Sequence, residues 1–584
     1  MVQDGRRATP RVVGWAMLRA VLPALALSLA SCAPDLEDII QEIQDAPLLS
    51  TGSSSGLDPA VPTSTASAGG EEGSTSDAGG GTTAAGSTED GSPDTGGVGS
   101  TGQSGASSST GDGGGGEVLL PEVVAIELPE EVNAAGPVPI TVMTKNSTSV
   151  RVQQDGVDVG ELAGAGKDVF VGVLAVKGAV ENGTVKVKVF ATLGEHEDSE
   201  EATFEVKVPE AGKPAWAKPG PLGSRTNRIA LTPEGDVLEA GLRIGASIPR
   251  PSIHKRSGLD GTDLWGKKVL LSELEGHVAD LAIAPDGGIW VAMNVKEASQ
   301  KWRPHILLLA PDGSPTGVDE PGELGSTLRA IAADEEGGCF AVGFAVVEGG
   351  DLDVVYQGVS AAHQGTVADI WDYQPPKAPV HSFADAAMDV VIDGDVAWVA
   401  GLSVGVHDEV KTFTRGMIVQ IDIHTGAVVG PVIIAPRAGA WEHSMFFGLA
   451  LHPEGLVVTG TGCQDACGGL QRIETSRYTP AGLRTWHQPE APAEGAYGSD
   501  VVVDSQGRAI IAGASQQGGV LRGQAFARTI GKVEQWPLWA HWFPVSKEAS
   551  EALGAARDGY DRIFIGGYVT AGGSPQTRLV QLSP

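Results

Sequence analysis

Long apolar runs and positive charge are what this sequence has least of. Apart from residues 20–30, AVLPALALSLA, no stretch approaches the roughly 20 apolar residues that a transmembrane helix needs. Lys and Arg number 40 against 73 Asp and Glu, which gives a formal net charge of −33. Nucleic acid and anionic membrane surfaces are therefore disfavoured as partners, because their phosphates would repel the chain.

Motifs for metal binding and catalysis are missing as well. The sequence contains no HExxH, no His-x-His and no D-x-D-x-D-G loop, so neither a zinc-protease helix nor an EF-hand is predicted. Hairpin geometry explains the Asp-Gly pairs of its turns without a metal. We expect no metal and no cofactor, and we assign no catalytic residue.

The start of the chain has the pattern of an export signal. Four arginines precede the apolar run, as in a secretory signal peptide. The run closes with LASC, which resembles the bacterial lipobox. The resemblance implies a signal peptide at residues 1–31 and a lipid on Cys32, either at the outer membrane or cell surface or on the periplasmic side of the inner membrane. The alternative is a plain signal peptide that contains a cysteine, and Met17 could be the true start.

A polar tether follows Cys32. Residues 33–116 hold thirteen Asp or Glu and no Lys or Arg. Residues 32–50 form the anchor region, and LEDIIQEIQ at 36–44 has the pattern of a short amphipathic helix. Residues 51–116 are almost entirely Gly, Ser, Thr, Ala and Asp. Such a segment buries too little apolar surface to fold, which predicts a disordered linker with a reach of about 45 Å.

Four cysteines are present, and Cys32 is the proposed lipid site. Cys463 and Cys467 lie in the turn-rich segment TGCQDACGGL of an exported chain, where a small-loop disulfide is predicted. Zinc would need further ligands at suitable spacing, and none is adjacent. Cys339, in the apolar segment GGCFAVGF, is predicted to be a core residue.

Residues 117–212 alternate with period two, as half-buried strands do. VRVQQ and VDVGEL flank Asp155-Gly156, which predicts a hairpin. About seven short strands in this segment predict a β-sandwich. It resembles bacterial immunoglobulin-like domains. Either a spacer or a recognition module is compatible with the pattern, and we favour a spacer.

Seven repeats fill residues 213–584. Each has an apolar strand, a tight polar turn and a second apolar strand, as in DLAIAPDGGIWVAM and DVVVDSQGRAIIAG. The turn glycines, 50 to 61 residues apart, are Gly235, Gly287, Gly337, Gly394, Gly455, Gly507 and Gly559. This period is typical of four-stranded propeller blades. The prediction is an all-β chain: a seven-bladed β-propeller preceded by a small immunoglobulin-like β-sandwich.

The two ends of the repeat region complete each other. The chain ends on TRLVQLSP, a third strand with no fourth after it, and PAWAKPGPLGS around Trp216 looks like a fourth strand. The first strand is therefore predicted to close the last blade, which removes an open sheet edge. Other fourth strands are predicted at Trp265, Trp371, Trp486 and Trp539. The repeats resemble the SBBP and NHL propeller families, which imply no shared activity.

One set of charged residues recurs at the repeats. We place the residue before each first strand at the mouth of the central channel. Five of these seven residues are charged, and they form the candidate binding site: Arg228, Asp280, Arg329, Asp389 and Asp500. They could hold a small polar ligand, an ion or a partner loop. Alternatively, they satisfy backbone groups and pair with one another.

Two functions remain open. The first is a membrane-anchored recognition or scaffold lipoprotein, monomeric, that presents the propeller on a tether to a protein or polysaccharide. The second is a propeller enzyme, a lyase or hydrolase acting on a glycan or peptide at the channel mouth. We favour the first, because the sequence shows acids and arginines at the channel but no converging His or Tyr.

Overall fold

The computed structural model describes residues 119–583 except 134, 177–181, 245–247, 267–268, 323, 347–351, 360–381, 407–411, 437–440, 442, 465–469, 492, 494 and 544–547. Within these residues the chain is all-β. Four predictions for the start of the chain lie outside the described residues: the signal peptide, the lipid site Cys32, the helix at 36–44 and the linker at 51–116.

The first nine strands form a two-sheet sandwich. They are β1 Glu122–Glu127, β2 Glu131–Val132, β3 Gly136–Lys145, β4 Ser149–Gln154, β5 Val157–Glu161, β6 Ala163–Gly166, β7 Val169–Val176, β8 Gly183–Leu193 and β9 His196–Val206. One sheet has the order β1-β3-β7-β6, and the other has the order β2-β9-β8-β4-β5.

Both sheets contribute to one core, because alternate side chains of each strand point inward. Ile140 and Val142 of the first sheet and Val187 and Val189 of the second are all fully buried there. The predicted hairpin is confirmed: β4 pairs with β5, and Asp155 and Gly156 both have positive φ, as its turn requires. The likeness to immunoglobulin domains stays a prediction.

The remaining strands build seven blades. They are β10 Pro214–Leu222, β11 Ser224–Leu231, β12 Val237–Ile244, β13 Pro249–Arg256, β14 Val269–Leu270, β15 Gly276–Ile283, β16 Ile289–Lys296, β17 Trp302–Leu309, β18 Pro315–Pro321, β19 Ser326–Ala333, β20 Cys339–Val346, β21 Leu352–Val359, β22 Ser382–Asp393, β23 Val396–Val406, β24 Thr412–Asp422, β25 Ile433–Ile434, β26 His443–His452, β27 Gly455–Cys463, β28 Gln471–Tyr478, β29 Arg484–Pro489, β30 Tyr497–Val503, β31 Arg508–Gln517, β32 Val520–Thr529, β33 Trp539–Trp542, β34 Ser550–Arg557, β35 Ile563–Ala571 and β36 Ser574–Leu582.

Consecutive strands pair antiparallel within each blade. Blade 1 is β11–β14, blade 2 is β15–β18, blade 5 is β26–β29 and blade 6 is β30–β33. Blades 3 and 4 share one seven-stranded sheet: the described strands of blade 3, β19–β21, join those of blade 4, β22–β25, where Leu352 of β21 pairs in parallel with Ala384 of β22. Each innermost strand contacts the innermost strand of the next blade, and β34 contacts β11. The seven innermost strands therefore form a closed ring around a central channel, which makes the fold a seven-bladed β-propeller.

The predicted closure is confirmed. Blade 7 has the strand order β10-β36-β35-β34, so the first propeller strand lies beside the last one. Trp216 pairs with Gln581 and Ala217 with Val580. The Trp216 ring also packs on Phe564, with ring centroids 6.1 Å apart. The outer edge of β36 is thereby paired rather than open.

The turns between the first two strands of each blade follow the repeat. Six of the seven predicted turn glycines have positive φ, for example 85° at Gly287, which glycine adopts without steric cost. Gly559 also lies in its predicted turn, but Asp561, with φ 61°, takes the left-handed position there. The Asp558 carboxylate holds this longer turn by accepting the N–H groups of Tyr560 and Arg562, both at 2.9 Å.

The tryptophans mark fourth strands in two of the blades where they were predicted. Trp486 lies in β29 and Trp539 begins β33. Trp265 precedes the short strand β14 instead, and a Cβ on Gly313 would meet its ring at 2.8 Å. Trp371 lies outside the described residues.

Candidate functional site

Every innermost strand carries a β-bulge at the same place. The pairing between first and second strand skips one residue in each blade. These bulged residues are Asn227, Ala279, Arg329, Met388, Phe447, Ser499 and Leu553. A bulge re-aims the residue beside it, so the position after the bulge is equivalent in all seven blades: Arg228, Asp280, Ala330, Asp389, Gly448, Asp500 and Gly554.

This register corrects the predicted ring in two respects. Arg329 is a bulge residue, and Ala330 is the true counterpart of Asp280. The residues also do not lie at the channel mouth, because each innermost strand begins three to seven residues earlier; Arg228, for example, is the fifth residue of β11. In the sequence only the apolar half of each innermost strand has the pattern of a strand, because the polar half before it resembles a loop.

Three aspartates each join two neighbouring blades. Asp280 of blade 2 accepts the N–H of Leu281 at 2.8 Å and that of Ile331, in blade 3, at 3.0 Å. Asp389 does the same between blades 4 and 5, and Asp500 between blades 6 and 7. The channel side of an innermost strand is a sheet edge with unpaired N–H groups. These carboxylates satisfy them.

Arg228 binds backbone carbonyl groups, whereas the three aspartates bind backbone N–H groups. Its guanidinium donates to the bulge carbonyls of Leu553 at 2.7 Å, Ser499 at 3.3 Å and Phe447 at 3.4 Å. It therefore reaches from blade 1 to blades 5, 6 and 7. We call Arg228, Asp280, Asp389 and Asp500 the central belt. The belt matches an odd blade number: three aspartates join blades in pairs, and the arginine stands in the blade left over.

Burial raises the pKa of each belt carboxyl. For Asp280 it reaches about 6, although the Arg228 charge and two backbone N–H groups act in the other direction, and the Asp500 charge raises it further. Burial also raises the pKa of Asp389 and Asp500, and Arg228 opposes it in both. The structure thus brings together four of the five predicted residues. Arg329 stands apart, with its guanidinium 5.8 Å from the Phe344 ring centroid.

The Asp280 pKa predicts a stability that depends on pH. Because the folded chain binds this proton more tightly than the unfolded chain, whose pKa is 3.8, the Asp280 contribution to the free energy of unfolding falls as pH rises from about 4 to 6. The free energy of unfolding of the wild type, minus that of Asp280→Asn, should therefore fall by about 2–3 kcal/mol across this window in urea unfolding. A difference that stays constant would contradict the raised pKa.

A second polar layer lies three residues before the belt position. Four consecutive blades contribute large polar side chains to it, and the other three contribute small or apolar ones. We call it the entrance layer: Arg225, His277, Thr327, Ala386, Met445, Tyr497 and Glu551. All seven residues are buried. Sequence reasoning missed this layer; its signal would have been the constant offset of three from the belt.

Glu551 is the centre of the polar half. It is 1% exposed, and it accepts the hydroxyls of Tyr497 and Tyr568, both at 2.5 Å. The Arg225 guanidinium lies 4.8 Å from the Tyr568 ring centroid. Burial raises the pKa of Glu551, whereas Arg225 and the two phenols lower it. A carboxyl, two phenols and a guanidinium from blades 6, 7 and 1 thus converge.

His277 extends this layer into blade 2. Its Nε2 lies 3.3 Å from the Asn294 amide nitrogen, and its ring stands edge-on to Trp302 at 5.7 Å.

In the part of the chain that the structure describes, no group of three His, Cys, Asp or Glu side chains is arranged to hold a metal. None of the described residues forms a helix long and apolar enough to cross a membrane.

Of the predicted disulfide, one half is described. Cys463 ends β27 and is disulfide-bonded. Its predicted partner, Cys467, lies outside the described residues. Cys339 is buried in β20, as expected for a core residue.

Comparison with known proteins adds only fold likenesses. No protein-family model and no curated protein matches the sequence. Among solved structures, an ulvan lyase of a polysaccharide lyase family is 12% identical over 63% of this chain and 96% of its own, with a TM-score of 0.41. Trypanosoma rangeli sialidase is 7% identical over 62% of this chain, with a TM-score of 0.33.

PorZ, a surface component of the type IX secretion system of Porphyromonas gingivalis, is 13% identical. The likeness covers 79% of this chain and 62% of PorZ, with a TM-score of 0.33. This chain spans 55% of the sialidase's length. At such identities only the arrangement of strands is alike, and no residue or activity is carried over.

Proposed function

We propose that the chain is a lipid-anchored, extracytoplasmic recognition protein, which presents its propeller on a flexible tether to a protein or glycan. The LASC sequence, the Gly/Ser-rich residues 51–116 and the propeller fold support this proposal. The ligand would meet the propeller on the entrance face, by which we mean the face where the innermost strands begin. The observation that carries this assignment is the entrance layer, with its polar half on four consecutive blades.

Because the central belt is already hydrogen-bonded to the backbone, the entrance face is the place where a ligand would bind. The three carboxylates and the guanidinium of the belt are occupied by backbone groups and cross the middle of the channel. The connections on the entrance face differ in length between blades: two residues separate β31 from β32, and five separate β16 from β17. Loops of variable length on a rigid scaffold are where binding residues concentrate.

The sandwich would act as a rigid spacer. At one end of β3, a Cβ on Gly136 would lie 3.2 Å from Cδ of Arg562 in the propeller. At the other end, the Asn146 amide donates to the carbonyl of Leu120, close to where the tether joins. The ten residues of β3 span about 33 Å. Leu120 therefore lies at the end of the sandwich away from Arg562.

Anchoring is tested at Cys32. The wild-type chain should fractionate with membranes and carry lipid on an N-terminal Cys32, because diacylation gives stable anchoring. Cys32→Ser should move it to the soluble fraction or leave the signal uncleaved. Cys339→Ser is the matched control and should stay in the membrane fraction. An unmodified Cys32 in the mass spectrum of the native protein would refute the anchor.

Recognition is tested with the full chain carrying Cys32→Ser, screened against envelope glycans and envelope proteins. Tyr568→Phe, on the entrance face, should weaken a ligand found in this way about tenfold. Gln506→Ala, an exposed residue of a turn on the opposite face, should leave binding unchanged. Equal losses in both variants would remove the ligand from the entrance face.

A second function is favoured by one specific observation. Tyrosines do converge on an acid at the channel, since Glu551 accepts two phenol hydroxyls. This arrangement suits an enzyme, a lyase or hydrolase of glycans or peptides, because a carboxylate can activate a phenol for proton transfer. Products released from envelope glycans or peptides by the wild type, and lost in Glu551→Gln, would establish it. Binding without turnover leaves the recognition function.

A further inference from the structure

The connection between β32 and β33 carries the two most exposed large apolar side chains among the described residues of the propeller. In the segment GKVEQWPL, Val533 is 81% exposed, Trp536 is 73% exposed and Leu538 is 48% exposed. Single exposed apolar residues are ordinary, but three within six positions are not. We call residues 531–538 the rim loop of blade 6.

The base of the rim loop is held firmly by blade 5. The Trp486 indole donates to the carbonyl of Lys532 at 2.7 Å. The Gln488 amide bonds both backbone groups of Glu534, each at 3.1 Å. These bonds need no change in the loop when a ligand arrives, so its side chains are presented with little further ordering cost.

Arg528 fastens the same base from below. It is 1% exposed, donates to the carbonyl of Glu534 at 3.2 Å and bonds both oxygens of Glu490, at 2.8 and 2.5 Å. At the end of the loop, Leu538 donates its N–H to Ala527 at 3.0 Å. Trp536 is therefore exposed on a buried, hydrogen-bonded base. This arrangement is expected of a contact surface rather than of a flexible loop.

From this geometry we propose that the rim loop binds a neutral polysaccharide, with the Trp536 indole stacked on a sugar ring. The site lies apart from the entrance layer. It rests on the proposed function in the case where the recognised ligand is a glycan. Its exposed side chains offer a few hundred Å², which suits a few sugar rings. A stable protein interface needs about 800 Å² on each partner.

Charge selects among the remaining partners. The chain carries a net charge of −33, which repels acidic polysaccharides and anionic lipids but does not affect a neutral glycan. A loop that inserts into a membrane surface relies on basic residues around its apolar ones, and the rim loop has one lysine and one glutamate.

The test is native affinity electrophoresis of the full chain carrying Cys32→Ser, so that no lipid is present. The gels contain a neutral glucan or galactomannan, and chitin is used in a pull-down. At least one of these should retard or retain the wild type. Trp536→Ala should weaken that binding about tenfold, and Trp536→Phe, which keeps an aromatic ring, about threefold. Val157→Ala removes an equally exposed side chain from the sandwich and should change nothing.

Three results would overturn the site. They are binding that survives Trp536→Ala, no retention by any neutral polysaccharide, and Trp536-dependent binding to phosphatidylcholine vesicles, which would make it a membrane contact. Failure here is distinguishable from failure of the proposed function. A glycan lost in Tyr568→Phe but kept in Trp536→Ala removes the rim site and leaves recognition at the entrance face.

Discussion

Removal of residues 1–222 is expected to cost the propeller more than half of its stability. This truncation deletes β10 and leaves the outer edge of β36 unpaired. Each lost ladder bond contributes about 1 kcal/mol, and the Trp216 contact with Phe564 adds about 2–3 kcal/mol. Several such bonds approach the roughly 5–15 kcal/mol by which typical domains are stable.

The control for this truncation keeps the closing strand. Removal of residues 1–212 takes away the sandwich but leaves β10, and this shorter chain should unfold in urea close to the full chain. The ring would then owe its stability to β10 and not to the sandwich. If the two truncated chains unfold at the same urea concentration, closure by β10 is not what holds the ring together.

The second large effect is expected for Arg228→Met. Methionine cannot donate to the three bulge carbonyls, and it leaves the carboxylates of Asp280, Asp389 and Asp500 buried without their cation. Leaving buried charges unpaired costs about 3–5 kcal/mol. The loss should be largest at pH 8 and smaller at pH 5, because removal of Arg228 raises the pKa of each aspartate further and protonation then neutralises them.

Arg329→Met is the matched control for this substitution. Arg329 belongs to a neighbouring bulge, and its charge is not a cause of the raised pKa values in the belt. Urea unfolding of both variants at pH 5 and pH 8 makes the comparison. A pH dependence that is the same in both variants would show that Arg228 does not compensate the belt carboxylates.

The repeats and the closure were predictable because both depend on local chemistry. A strand, a turn with a left-handed glycine and a second strand leave a pattern within about fifteen residues. Seven such patterns, with an unmatched third strand at Arg578–Leu582 and an unmatched fourth strand at Trp216, are enough to predict a closed ring. In the last of these turns the left-handed residue is Asp561 and not Gly559, because an aspartate can also adopt positive φ.

The entrance layer and the rim loop could not be predicted in the same way. Tyr497 and Glu551 are 54 residues apart, and nothing near either residue indicates that they meet. The exposure of Trp536 depends on hydrogen bonds from blade 5, 46 residues earlier in the chain. Apolar residues in a polar loop look alike in the sequence whether they are buried or exposed.

By itself, the sequence determined the number of blades and the order of the strands, and it placed Arg228 and three aspartates at equivalent channel positions together with Arg329, which the bulge register excludes. Only the tertiary structure decided what those charges do. Their partners are backbone N–H and carbonyl groups of other blades, 51 residues away for Asp280 and 325 for Arg228. Every residue carries such groups, so a contact to the backbone leaves no trace in residue type, and its position is set by the bulge that shifts each innermost strand by one residue.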